Sequence, residues 1–136
     1  MKKITSSVLY ELLKDIKTRP GKYIGTKSIV KLRHFLDGIY YVLYYTDEKN
    51  DSDSFLKGFQ EWIEMRYDIT STHHWSNIIN FYSNNEADAF DIFYELLDEF
   101  LSLSIKEREY SYLLQKKEKW LEIKSDYSDK IEELNM

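Results

Sequence analysis

The chain has 136 residues, no cysteine, one proline and four glycines. That length suits one domain with a sizeable core; the missing cysteines exclude disulfides, thiolate metal sites and cysteine catalysis, and scarce proline and glycine argue against turn-rich all-β folds and glycine-rich nucleotide loops. The formal charge of −5 divides into +7 over residues 1–34, −11 over 35–105 and −1 over 106–136, and so acidic a centre repels nucleic acid and attracts basic protein.

Val8, Leu9, Leu12, Leu13 and Ile16 recur at helical spacing and predict a first helix starting near Ser6 or Ser7. Pro20-Gly21 stops it, with the glycine expected at positive φ in a tight turn. Ile29, Leu32, Phe35, Leu36, Ile39, Tyr40 and Leu43 mark a second helix running to about Thr46. Asp47 to Ser54 has no apolar residue and reads as a loop. Phe55, Phe59, Trp62, Ile63 and Tyr67 predict a third helix, and residues 69–77 read as irregular. Ile78, Ile79, Phe81 and Tyr82 form a short apolar segment, one or two helical turns or a short strand, with helix preferred.

Ser83-Asn84-Asn85-Glu86 matches a capping box. The long helix it opens repeats Ala87, Phe90, Phe93, Tyr94, Leu97, Phe100 and Leu101 at spacings of three and four. Ser104 to Glu107 matches a second box, before a last helix striped by Tyr110, Leu113, Leu114, Lys117, Trp120 and Leu121. Tyr127, Ile131 and Leu134 extend that helix or form a short turn of their own. The expected architecture is all-α, a single domain over residues 1–136 with five or six helices. Its core is expected to include Leu36, Ile39, Phe59, Trp62, Phe90, Phe93 and Leu97. No apolar run approaches the roughly 20 residues that span a bilayer, and no cleavable leader follows Met1-Lys2-Lys3. A cytoplasmic protein without membrane contact is expected.

Sites for chemistry are sparse. His73 and His74 are adjacent, which points them about 100° apart on a helix, and no HExxH or similar ligand spacing exists. His34 stands alone within the second predicted helix. No serine sits in a nucleophile motif such as GxSxG. No catalytic residue, metal or cofactor is expected.

Arg19-Pro20-Gly21-Lys22-Tyr23-Ile24-Gly25 is the one compact motif, and it resembles a segment near the start of gyrase-type ATPases. The helix after it, Lys31 to Tyr41, lacks the glutamate and asparagine that family uses, and its later glycine-rich boxes are missing. The ATPase reading is therefore rejected. A rigid turn between helices, packed down by Tyr23 and Ile24, explains the motif.

A second resemblance covers residues 8–101. Its markers are the RPxxYxG turn, then Ser28-x-x-x-Leu32-x-x-Phe35-Leu36-x-Gly38-x-Tyr40. Phe59-Gln60-x-Trp62-Ile63 and Trp75-x-x-Ile78-Ile79 follow, then Glu86-Ala87-x-Ala89-Phe90-x-x-Phe93-Tyr94-x-Leu96-Leu97-Asp98-Glu99-Phe100. This order resembles small all-helical immunity proteins of bacterial polymorphic and contact-dependent growth inhibition toxin systems. Residues 104–136 fall outside it as one or more additional C-terminal helices. The resemblance implies a non-enzymatic protein that binds and neutralises one cognate toxin. A helical interaction or regulatory domain without a toxin partner is the alternative.

A nuclease toxin is basic because it binds phosphates, so carboxylates are the expected contact chemistry. Asp88, Asp91, Glu95, Asp98 and Glu99 recur at three, four, three and one, on the side of their helix away from the apolar stripe. Like charges at this spacing cost a few tenths of a kcal/mol each, so the ridge does not serve helix stability. With Glu61, Glu64 and Asp68 as an extension it forms the expected partner-binding surface; a solvated outer face is the alternative. The basic block around Lys22, Lys27, Lys31 and Arg33 is the next candidate.

Overall fold

The computed structural model describes residues 5–46, 56–103 and 107. Helix α1 (Ser6–Thr18) starts where Thr5, in an extended conformation, accepts a hydrogen bond from the Val8 amide at 3.3 Å. Leu9, Leu13 and Ile16 face inward, whereas Val8 is exposed. The expected stripe was one residue too wide there.

The turn after α1 differs from expectation in detail. Pro20 occupies the first position of a one-turn helix, α2 (Pro20–Tyr23), where its missing N–H costs nothing. Gly21 lies inside that turn, and the positive φ, +87°, belongs to Gly25. The backbone therefore reverses four residues later than the Pro-Gly pair suggests. Tyr23 and Ile24 do pack on the core, with Tyr23 edge-on to Phe35 at 6.4 Å between centroids.

Helix α3 (Ile29–Tyr45) is capped by Ser28, whose buried hydroxyl accepts from the Lys31 amide at 3.2 Å and donates to Glu86 at 2.5 Å. One serine thus stops the chain and ties α3 to a helix beginning 58 residues later. Ile29, Leu32, Leu36 and Leu43 are buried; Phe35, Ile39 and Tyr40 are only partly so. Helix α4 (Phe59–Arg66) follows Gly58, which takes φ +84°. Phe55 and the loop expected over Asp47 to Ser54 lie outside the described residues, as does almost all of the last helix expected from Ser104.

Helix α5 (Trp75–Phe81) settles the short apolar segment as helix, beginning three residues earlier than the periodicity predicts. The reason is its cap: His74 accepts from the Ser76 amide through Nδ1 at 3.1 Å. Helix α6 (Glu86–Ser102) is capped by Asn85, not Ser83. Asn85 accepts from the Asp88 amide at 2.8 Å, and the Asp88 carboxylate accepts from the Asn84 amide at 3.0 Å. Ser83 instead donates to the Ile79 carbonyl at 2.6 Å, closing α5.

Six helices and no strand are present among the described residues, so the chain is all-α and packs around one core. Helix α6 is the central element. Ala89, Phe90, Phe93, Tyr94, Leu96, Leu97 and Phe100 are buried, an arc about 160° wide at 100° per residue. Ala87, expected within this stripe, falls past its edge and is exposed. Phe59 of α4 anchors the aromatic centre, meeting Trp75 at 5.3 Å, Phe93 at 6.0 Å and Phe100 at 5.2 Å between centroids. The Tyr94 hydroxyl donates to the Leu13 carbonyl at 2.6 Å and ties α6 to α1. Burial raises that phenol's pKa, so it stays a neutral donor.

Candidate functional site

The eight carboxylates expected to form one surface separate into three environments. Asp91, Glu95, Asp98 and Glu99 do lie exposed on α6, opposite its buried arc. Asp88 is half-buried and serves as part of the helix cap. Two of the exposed four are already engaged: Asp91 pairs with Lys27 at 2.8 Å and Glu99 with Arg66 of α4 at 3.4 Å. Both pairs are about half exposed, where such contacts are worth at most about 1 kcal/mol. Glu95 and Asp98 make no ion pair among the described residues. The ridge is therefore shorter than its spacing suggests, because the α2–α3 turn and helix α4 bring cations to its two ends.

Glu61 and Glu64 lie elsewhere. They line a polar cleft of about 580 Å³ between α4, the segment 71–74 and α5. Glu64 is only 1% exposed and accepts from the Ser71 amide at 3.4 Å, which removes it from any docking surface. Gln60, one helical turn earlier, donates to the His73 carbonyl at 2.8 Å and accepts from the Trp75 amide at 2.7 Å. These two side chains, four apart on α4, satisfy the backbone of the irregular segment and hold α5 in place. Asp68 is exposed just past α4, at φ +53°.

The cleft also gathers Arg33, His73, His74 and Asn77. Arg33 Nε is buried and lies 3.4 Å from the Asp37 carboxylate, without a well-aligned hydrogen bond among the described residues. His74 has its pKa lowered to about 4, first by burial and then by the Arg33 charge, with Asp37 opposing. A histidine that accepts at Nδ1 from a backbone amide must be neutral there, which agrees with that direction. Among the described residues no group of His, Asp and Glu is placed to hold a metal ion.

On the other side of residues 69–77 lies a mostly apolar hollow of about 510 Å³, lined by Ile69, Ile78, Phe81 and Tyr82 among others. Phe81 is 79% exposed and Tyr82 53% exposed. Tyr82 stacks on Tyr67 at 5.2 Å and 20°, and meets Phe81 edge-on at 5.0 Å. Burial raises the Tyr67 phenol's pKa, with Arg66 pulling it back. The sequence places Phe81 and Tyr82 in one short apolar segment with Ile78 and Ile79 and does not say which of them face inward. Trp75, Ile78 and Ile79 already fill the inward side of so short a helix, and that is the signal that one aromatic is left over.

In the basic block, Lys27 is committed to Asp91, Arg33 lies against Asp37, and Lys22 sits over the Tyr23 ring at 5.3 Å. Lys27 and Arg33 thus face the fold's own carboxylates, while Lys31 is exposed on the first turn of α3. No helix among the described residues is long and apolar enough to cross a membrane. No protein-family model, no curated protein and no solved structure matches this chain.

Proposed function

We propose that this chain is an immunity-type inhibitor, which binds a basic bacterial toxin one-to-one in the cytoplasm and neutralises it without turnover. The observation that carries the reading is the acidic half of the molecule. Residues 56–103 hold nine carboxylates and two basic residues, and α6 turns four of those carboxylates outward. A surface of one sign raises the encounter rate with an oppositely charged partner and repels nucleic acid, its competitor for such a toxin. The resemblance of residues 8–101 to immunity proteins supports the same partner class. A helical regulatory domain without a toxin would share the charge but not the protection.

Co-expression decides between them. A polymorphic-toxin gene is expected directly upstream, its toxin domain is expected to arrest a bacterial host, and this chain is expected to restore growth. Continued arrest, or an upstream gene that encodes no such toxin, contradicts the reading.

A further inference from the structure

Charge steers an encounter, but affinity at protein interfaces concentrates in a few buried aromatic or arginine anchors within a polar rim. The α6 carboxylates offer no such anchor. The α4–α5 face does. Phe81 and Tyr82 stand 79% and 53% exposed beside the hollow of about 510 Å³ whose floor includes Ile69 and Ile78. The fold does not need Phe81, because Trp75, Ile78 and Ile79 seat α5 on the core. The cluster is also held before any partner arrives. Tyr82 is fixed between Tyr67 and Phe81, and Gln60 clamps the backbone at His73 and Trp75. Such preorganisation lowers the ordering entropy lost on binding.

Charge favours a basic partner. Residues 56–103, which carry this face, hold nine carboxylates and two basic residues. The polar cleft that shares Ser71, His73 and Asn77 with the hollow carries Glu61 as well as Arg33, and exposed Asp68 follows Tyr67 in the chain. We propose that a basic protein docks here, placing one apolar side chain against Phe81 and Tyr82 and setting lysines or arginines beside Glu61 and Asp68. The proposal rests on the toxin-neutralising reading and names its surface. A second copy of this chain is a poorer occupant, since each carries a formal charge of −5 and would set like charge against like.

The test uses the full chain and the purified toxin domain encoded directly upstream, with binding followed by surface plasmon resonance. Phe81→Ala is expected to melt with the wild type and to bind at least about tenfold more weakly, mainly through faster dissociation. Tyr82→Ala should do the same. Glu61→Lys and Asp68→Lys should slow association, more so at low salt. If Tyr82→Ala disturbs folding through Tyr67, the more exposed Phe81→Ala decides alone. Wild-type binding that Phe81→Ala leaves unchanged overturns this surface while the proposed function stands. No wild-type binding overturns the function, and this surface with it. Sedimentation showing a dimer that Phe81→Ala dissociates assigns the patch to self-association and also overturns the proposal.

Discussion

Acidification should loosen the α4–α5 face through one ring. His74 caps α5 by accepting from the Ser76 amide at Nδ1, and it also shares a 2.7 Å hydrogen bond with the Ser76 hydroxyl. Burial, and after it the Arg33 charge, lower the folded pKa to about 4 from the ordinary 6.5, with Asp37 opposing, and protonation also removes the lone pair that accepts from the Ser76 amide. A base that holds its proton less tightly when folded contributes full stability above its unfolded pKa, and loses it as pH falls toward the folded value. The sensitive window is thus about pH 6.5 down to about pH 4. Because the ring is only half-buried, solvent screening reduces the effect to about 1 kcal/mol between pH 7 and pH 5. Asparagine can also cap a helix and does not titrate. Urea unfolding of wild type and His74→Asn at both pH values isolates the ring from carboxylates that titrate in both proteins. The variant should lose about 1 kcal/mol less on acidification. Equal losses in the two proteins would refute the cap as the pH-sensitive element.

Three further outcomes follow from the geometry. Phe59→Ala empties the junction of Trp75, Phe93 and Phe100 and should cost about 3–5 kcal/mol by chemical denaturation; a loss below about 1 kcal/mol would mean the site collapses freely. The two turn glycines should respond with opposite signs in thermal melts. Gly25→Ala should destabilise by about 1–2 kcal/mol because its φ is +87°, whereas Gly21→Ala, helical and open to solvent, should be neutral or stabilising by up to about 1 kcal/mol. Glu95→Lys with Asp98→Lys should slow toxin association at low salt and leave the melt unchanged, since neither carboxylate pairs within the described residues; equal rates at all salt concentrations would remove α6 from the steering field.

Helical period carried most of the fold. The buried arcs of α1, α3 and α6 follow directly from spacings of three and four, because each helix has a single apolar side facing one core. What failed were choices between chemically equal neighbours. Ser83 and Asn85 can both cap a helix, and the selection came from α5, whose last turn takes the Ser83 hydroxyl. Gly21 and Gly25 can both reverse a chain, and the helical turn begun by Pro20 moved the reversal to the second.

The site was less legible still. Glu64 resembles any surface acid in sequence, yet it is buried against the Ser71 amide, a contact set by how the segment after α4 folds back. The Gln60-x-x-x-Glu64 spacing beside Trp62-Ile63 was the available hint, since it places two polar side chains one turn apart next to core residues. Lys27, in the turn before α3, and Arg66, on α4, reach the acidic ridge from 64 and 33 residues away along the chain, which no local pattern records.

The central claim is that this chain neutralises a basic protein by direct stoichiometric binding. Isothermal titration of the purified chain with the toxin domain encoded directly upstream tests it most directly, run at low and at high salt. The account predicts saturable one-to-one binding at both, tighter at low salt, with a negative heat-capacity change from burying Phe81 and Tyr82. Absence of binding at either salt, or an interaction that vanishes at high salt as pure charge attraction would, contradicts it.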